Sequence, residues 1–320
     1  MLATATERTR RSTNDSVDSR ILHVLQRNGR ISNLKLAEEV NRSPSAVLER
    51  VKRLQREGYI LGYQARLCRE MLGMGVLAYV EVRLERMDTE LMHRFESAVR
   101  ACAPIVECHM IAGAFDYLLK VLVTDLRACR DFVERQVGCL PGVREARSHV
   151  GAASEASACD ERSPADARRL DETDSALLRL LQADGRLTVA RLAELLSTTT
   201  AAVRERLARL NRQGYILGFE AVLNEAKFNP ARLQVFATIR REGCGLEFVH
   251  ALKGAMAQCP ELVEFHELTG QFDVLVKARV PDMASYLRLV ETRIWTLPGV
   301  REVRSHAAMH QVKSTASLPL

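Results

Sequence analysis

No apolar run in this 320-residue sequence approaches the roughly 20 residues needed to cross a bilayer, which excludes a helical membrane protein. Met1 to Ser19 are polar and charged and lack the apolar stretch of a secretory leader, so the expected location is cytoplasmic. None of the eight cysteines (Cys68, Cys102, Cys108, Cys129, Cys139, Cys159, Cys244 and Cys259) stands in a C-x-x-C pair, and the local signature of a structural zinc site is missing. A chain of this length without a leader predicts reduced thiols rather than a disulfide framework. There is no glycine-rich phosphate loop and no nucleophile elbow, so no catalytic residue, metal or cofactor is expected.

What is present is ordinary for a globular chain: 47% hydrophobic and 27% charged residues, with length for about two domains. The net charge is +6, and residues 1–66 alone carry roughly that much. That segment is the place to expect contact with a polyanion.

The strongest signal is an internal repeat. Asp18-Ser-Arg-Ile-Leu realigns with Asp174-Ser-Ala-Leu-Leu, and Gly58-Tyr-Ile-Leu-Gly62 with Gly214-Tyr-Ile-Leu-Gly218. Leu140-Pro-Gly-Val-Arg-Glu-Ala-Arg-Ser-His149 returns as Leu297-Pro-Gly-Val-Arg-Glu-Val-Arg-Ser-His306. A period of about 156 residues is too long for a solenoid, so the unit is a duplicated module of several elements. The small, polar, aperiodic stretch after Gly151 reads as a linker. The expected division is an N-terminal arm (1–17), a helical domain (18–66), a sheet domain (67–150), the linker (151–172), a second helical domain (173–222), a second sheet domain (223–313) and a tail (314–320).

The helical part holds three short helices. Ile21, Leu22, Val24 and Leu25 form one stripe, with Asp18 placed as a cap and Gly29 as the stop. A second helix carries Leu34, Leu36, Ala37 and Val40. A third has Ser43 as N-cap, Pro44 at its first position, and Val47, Val51 and Leu54 on its buried side. The second copy repeats the pattern, with Thr199 or a neighbour as cap and Val203, Leu207 and Leu210 inward. This is a helix-turn-helix unit. The second part alternates at strand period and reads strand-helix-strand-strand-helix-strand, the ferredoxin-like order. Strands are expected at 76–84, 105–111, 115–123 and from 143, and in the second copy at 233–239, 262–268, 272–278 and from 300. The fold class is therefore α+β: two copies of a trihelical, winged-type helix-turn-helix domain followed by a ferredoxin-like βαββαβ domain. Helices cover one face of such a sheet, and the other face predicts pairing.

A third helix reads DNA when it carries donors opposite its buried stripe. The first copy offers Ser45, Leu48, Glu49, Arg50, Lys52, Arg53 and Arg56; the second offers Thr199, Thr200, Arg204, Arg206, Arg209 and Arg212. Alone, such a face is equally a solvated helix surface. Its trihelical setting, met twice, points to double-stranded DNA. The expected contacts are Ser43, Ser45, Arg50, Lys52 and Arg53, then Thr199, Thr200, Arg204, Arg206 and Arg209. Because the two helices differ, unlike half-sites are expected.

Arg30-Ile-Ser-Asn-Leu-Lys-Leu-Ala, Ser43-Pro-Ser-Ala-Val-Leu-Glu-Arg-Val-Lys-Arg-Leu and Gly58-Tyr-Ile-Leu-Gly-Tyr resemble the DNA-binding half of the Lrp/AsnC transcription regulators. Val106-Glu-Cys-His109 with Gly113-Ala-Phe-Asp-Tyr-Leu-Leu-Lys120, and Val263-Glu-Phe-His266 with Gly270-Gln-Phe-Asp-Val-Leu-Val-Lys277, look like their effector-binding half, the RAM-type domain. The family usually carries one copy per chain. The resemblance implies a DNA-binding regulator that assembles with itself, here as an intramolecular pseudo-dimer and a homo-oligomer. It also implies a small amino acid or related effector bound at the hairpins: His109, Gly113, Phe115 and Asp116 in one copy, and His266, Thr269, Gly270 and Asp273 in the other. A glycine allows close backbone approach and a carboxylate can pair with an α-ammonium group. A plain turn with a solvated Asp satisfies the same residues. Glu107–His109 and Glu264–His266 could each begin a metal site, but no third ligand is evident, and they read as polar residues at a pocket or dimer edge.

The chain also resembles sirohaem decarboxylases, which share the two-part architecture and can be fused copies. That alternative implies an enzyme whose sheet module holds a tetrapyrrole among basic side chains and His or Tyr near the hairpin. The acidic Asp116 and Asp273 at the hairpins, and the arginines on both third helices, favour the regulator.

Overall fold

The computed structural model describes residues 16–151, 170–228, 233–242, 246–315 and 317–319. The expected N-terminal arm and linker lie outside these residues except at their inner ends. The first repeat runs α1 (Ser16–Arg27), α2 (Asn33–Glu39), α3 (Pro44–Arg56), β1 (Ile60–Leu67), β2 (Val76–Leu84), α4 (Thr89–Ala101), β3 (Ile105–Ala112), β4 (Tyr117–Val123), α5 (Leu126–Phe132) and β5 (Val143–Gly151). The second runs α6 (Glu172–Ala183), α7 (Val189–Leu195), α8 (Thr200–Arg212), β6 (Ile216–Leu223), α9 (Glu225–Phe228), β7 (Leu233–Arg241), α10 (Leu246–Gln258), β8 (Leu262–Thr269), β9 (Val274–Val280), α11 (Met283–Leu289) and β10 (Val300–Ser314). Both α5 and α11 continue into a π-helical turn, Val133–Val137 and Val290–Ile294.

The compact units do not follow the repeats. One gathers the described residues of Met1–Met71 and Glu161–Pro230; the other gathers those of Leu72–Asp160 and Ala231–Pro319. Like is joined to like across the duplication.

In the helical unit, apolar residues at helical spacing build each core. Ile21, Leu22 and Leu25 of α1 meet Leu36 and Ala37 of α2 and Val47, Val51 and Leu54 of α3. Ser43 caps α3 by accepting from the Ala46 amide at 3.4 Å, and Pro44 needs no donor at the first position. In α8 the cap is Thr199, which accepts from the Ala202 amide at 3.2 Å. The strand after each third helix is no wing hairpin. β1 pairs antiparallel with β6, from Ile60↔Leu223 to Leu67↔Ile216, so each copy completes itself on the other. The Gly29 amide donates to the Phe219 carbonyl at 2.6 Å, and the Gly185 amide to the Tyr63 carbonyl at 2.7 Å. Only glycine fits there: a Cβ on Gly29 would lie 2.7 Å from the Glu220 backbone, and one on Gly185 2.7 Å from that of Gln64. The Arg30 guanidinium stacks 3.6 Å over the Phe219 ring and donates to the Gly185 carbonyl at 2.5 Å. Its counterpart Arg186 stacks 3.5 Å over Tyr63 and donates to the Gly29 carbonyl at 3.0 Å.

In the sheet unit each copy has the expected ferredoxin-like order, β3-β4-β2-β5 and β8-β9-β7-β10. Helices cover one face, and the two cores hold Val80, Phe95 and Leu119, and Ala237, Leu252 and Val276. The uncovered faces close on one another, the pairing the pattern predicts. β10 runs along β7 and then along β3, from Ala307↔Ala112 to Ser314↔Glu107, and β5 joins β8 at Val150↔Thr269 and Gly151↔Leu268. Eight strands form a closed barrel with a third apolar cluster inside, including Leu77, Val106, Leu118, Phe236 and Leu275. Cys102, Cys108, Cys129, Cys139 and Cys259 are free thiols. Cys68 is disulfide-bonded, so the expectation of reduced cysteines fails there.

Candidate functional site

The outward faces of α3 and α8 carry part of what the sequence placed on them. Ser43, Ser45 and Lys52 are exposed, as are Thr199, Thr200 and Arg204. Arg50, Arg53, Arg206 and Arg209 are different. Arg50 donates to Asp18 at 2.8 Å, and Arg53 bonds the other oxygen of the same carboxylate. Arg206 donates to Asp174 at 2.8 Å and to Asp171 at 2.5 Å, and Arg209 reaches both Asp174 oxygens at 2.6 Å. Asp18 and Asp174 are only 1% and 0% exposed. Asp18 does not cap its helix as expected. Both aspartates lie inside the first turn and lash α3 to α1 and α8 to α6, while Asp171 caps α6 in a reciprocal box with Asp174. The Arg206 guanidinium holds Asp171 below the usual carboxylate range. Spacing placed these four arginines opposite the apolar stripe; it did not reveal a buried carboxylate waiting at the flank.

Inside the barrel four charges alternate. Lys120 reaches Glu264 at 2.7 Å and Glu107 at 3.3 Å; Lys277 reaches Glu107 at 2.7 Å and Glu264 at 3.1 Å. Each lysine bridges the two copies. Burial alone would raise the Glu107 carboxyl, but the His109 hydrogen bond and the two lysines outweigh it and hold it at about 2. Glu264 is pulled down in the same way, and its carboxylate partners hold Lys277 above its ordinary value against burial. His109 and His266 bond Glu107 and Glu264 at 3.1 and 3.2 Å. They are buried between the sheets rather than at a pocket edge, and burial lowers His109. Gln234 of the second copy donates to His109 at 3.2 Å. Among the described residues no cluster suited to a metal is found. The lysines were the missed partners. Their signal was phase: Lys120 shares a strand face with Leu118 and Leu122, both buried.

At the hairpins Gly113 and Gly270 take φ of 149° and 138°, and a Cβ on Gly270 would lie 2.7 Å from the His149 ring. Asp116 accepts from the Leu84 amide at 2.7 Å, and Asp273 from the Arg241 amide at 2.9 Å. Each carboxylate thus braces the main chain through one of its two oxygens. Phe115 packs on His306 at 4.9 Å, Phe272 on His149 at 4.3 Å, and Thr269 donates to the Val150 carbonyl at 3.1 Å. Each hairpin thus leans on the last strand of the other copy. Between the two phenylalanines lies a cavity of about 150 Å³ that Glu81, Thr238 and His306 also line. Arg83, Arg147, Arg240 and Arg304 stand around it with Glu145 and Glu302; Arg147–Glu145 and Arg304–Glu302 are each 2.6 Å apart. Burial holds His306 below the ordinary histidine value. His149 and His306 were not foreseen as site residues, although the repeated Arg-Ser-His motif contains both.

The profile of the Lrp/AsnC ligand binding domain matches residues 77–153 and 234–318. Together these segments are more than half of the chain. The chain belongs to the Lrp/AsnC family. A winged helix-turn-helix DNA-binding profile matches 14–60, and the AsnC-type helix-turn-helix domain matches 170–211. The leucine-responsive regulatory protein of Haemophilus influenzae is 42% identical over 144 residues, 45% of this chain and 87% of that protein. That of Escherichia coli is 43% identical over 136 residues, 42% and 83%. These family members are single-copy in length, so each aligns with about half of this chain. Among solved structures, a transcriptional regulator of Neisseria meningitidis in complex with L-methionine is 36% identical over 43% of this chain and 89% of its own, with a TM-score of 0.41. The sirohaem decarboxylase NirDL covers 95% of this chain and 94% of its own at 14% identity and a TM-score of 0.65, which is a likeness of fold. No helix among the described residues of this Lrp/AsnC protein is long and apolar enough to cross a membrane.

Proposed function

We propose that this Lrp/AsnC-type DNA-binding regulator grips duplex DNA through two unlike readers in one chain, and that a small amino acid bound in its sheet unit tunes the grip. One observation carries the reading: two capped third helices with exposed donors are locked into a single unit by the β1–β6 ribbon. Ser43, Ser45 and Lys52 face DNA from one helix, and Thr199, Thr200 and Arg204 from the other. Hydroxyls and helix N-termini hold phosphates, while the cations reach phosphate or base edges. The four clamped arginines steady the helices. Unlike faces imply unlike half-sites in successive major grooves. The effector lies at the hairpin cavity between Phe115 and Phe272, and the chain further assembles with copies of itself.

The fold of NirDL raises an enzymatic reading, and the arginines and histidines near the hairpins would suit an acidic tetrapyrrole better than the sequence suggested. The size of the cavity favours the regulator. Pockets for drug-sized ligands run to about 300–1,000 Å³, whereas this cavity is about 150 Å³ and the barrel interior behind it is filled by Tyr79, Phe236 and the charged cluster. The side chains suit such a ligand but the space does not, and the regulator is the reading kept here.

Selection of binding sequences from a random DNA pool, with and without a mixture of amino acids, tests the proposal. Lys52→Ala and Arg204→Ala should each weaken binding by about 1–3 kcal/mol if they meet bases, each at its own half-site. No enrichment of any sequence at low ionic strength refutes the reading, as does stoichiometric sirohaem binding.

A further inference from the structure

The cavity has a pole. The two repeats supply matching residues at most positions around it: Phe115 and Phe272, Arg83 and Arg240, Glu145 and Glu302. They differ at the hairpin, Ala114 against Gln271, and at the position facing inward on β2 and β7, with Glu81 in the first copy and Thr238 in the second. The Glu81 side chain is 16% exposed, and the His149 Nε2 atom is 3.5 Å from it, long for a hydrogen bond. Both ring nitrogens of His149 are buried without a hydrogen-bond partner. Arg147 stands across from Glu81 on β5, but no arginine forms an ion pair with Glu81 among the described residues. Arg147 and Arg304 are committed to Glu145 and Glu302 at 2.6 Å, and Arg83 and Arg240 face the same two glutamates at 3.9 and 3.8 Å. A carboxylate that lines the cavity with no hydrogen-bonded partner offers its oxygens to an incoming cation. Thr238, by contrast, donates to the Arg304 carbonyl at 3.4 Å.

We propose that the cavity holds one α-amino acid per chain in one orientation, its ammonium on Glu81 and its carboxylate toward the arginines, which retain N–H donors beyond their glutamate bonds. This rests on the effector reading above and adds to it a polarity and a stoichiometry. A chamber of about 150 Å³ is of the size that encloses benzene, so it takes one small side chain and not two ligands. The duplication makes this possible. Two identical copies would place two glutamates, or none, at this inward position of β2 and β7; divergence there leaves one.

Isothermal titration of the full chain with each of the twenty common L-amino acids, one at a time, tests this. At least one binds with a stoichiometry of one per chain, and Glu81→Gln weakens it by roughly 10- to 100-fold, the range of a hydrogen bond to a charged group. The same amino acid lacking its amine binds the parent and Glu81→Gln equally weakly. Exchange of the two residues, Glu81→Thr with Thr238→Glu, moves the pole across the pseudo-twofold axis and restores affinity to within about threefold of the parent, whereas Glu81→Thr alone does not. If no amino acid binds the parent, the effector reading falls and this assignment with it. If one binds but at two per chain, or with unchanged affinity in Glu81→Gln, the assignment alone falls.

Discussion

Replacing Glu107 with Gln removes one of the four charges inside the barrel and leaves Lys120 and Lys277 to share Glu264. The expected cost follows from the carboxyl itself. It sits at about 2 against an ordinary 4.5, a difference equivalent to about 3 kcal/mol of native-state stability at neutral pH. Removing a charge and its partner together should cost less, because the Lys120–Glu264 bridge at 2.7 Å survives in a neutral interior. The assay is urea unfolding of the full chain followed by fluorescence of its one tryptophan, Trp295, which belongs to the sheet unit. Glu107→Gln should lower the midpoint by the equivalent of about 3 kcal/mol at unchanged slope, and Glu107→Leu with Lys277→Met by less than half of that. If the double variant loses as much as the single one, the four charges do not act as a unit and the reasoning is wrong.

Acid should unfold the sheet unit in two stages. Burial depresses His109 and His306 below the ordinary 6.5, so they favour the folded state while neutral, and that stability is lost as pH falls below 6.5. Glu107 and Glu264 are also depressed, so their share is present above 4.5 and lost as pH falls toward 2. A pH series of Trp295 midpoints should show both legs, with Glu107→Gln flattening the lower one. In the helical unit, Arg50→Ala with Arg53→Ala strands a carboxylate that is 1% exposed and should cost roughly 3–5 kcal/mol. Lys52→Ala should weaken DNA binding with stability unchanged within about 0.5 kcal/mol. Paired melting and binding curves separate the two, and equal stability in both variants would remove the clamp. Gly185→Ala forces a Cβ against the Gln64 backbone and should cost about 1–3 kcal/mol. An unchanged melting temperature would mean that the ribbon yields at that point.

Much of the fold was legible because its signals are local. Val47, Val51 and Leu54 announce one face of α3, Pro44 and Ser43 its start, and the alternation over 76–84 a strand whose bounds match. The duplication was legible as plain identity between segments such as Gly58–Gly62 and Gly214–Gly218. What stayed hidden was who pairs with whom. β1 reads as a wing because its true partner, β6, lies in the other repeat. Asp18 reads as a cap because spacing cannot distinguish a residue at a helix start from one buried within the first turn. Asp116 and Asp273 read as ligand carboxylates, and spacing could not show that each also braces a neighbouring strand through the amide of Leu84 or Arg241. Glu81 carries no motif at all. It matters only because the barrel closes and brings it opposite Thr238, a relation between strands 157 residues apart in the chain.

The exchanged strands also set a timetable for the newborn chain. β1 leaves the ribosome 156 residues before β6, which at the usual 5–20 residues per second is a wait of roughly 8–30 s with an unpaired edge. During that interval the nearest available mate is the same strand on a neighbouring nascent chain of the same message. Crowded polysomes would therefore yield interlocked dimers, and slow or sparse translation would favour closure of each chain upon itself.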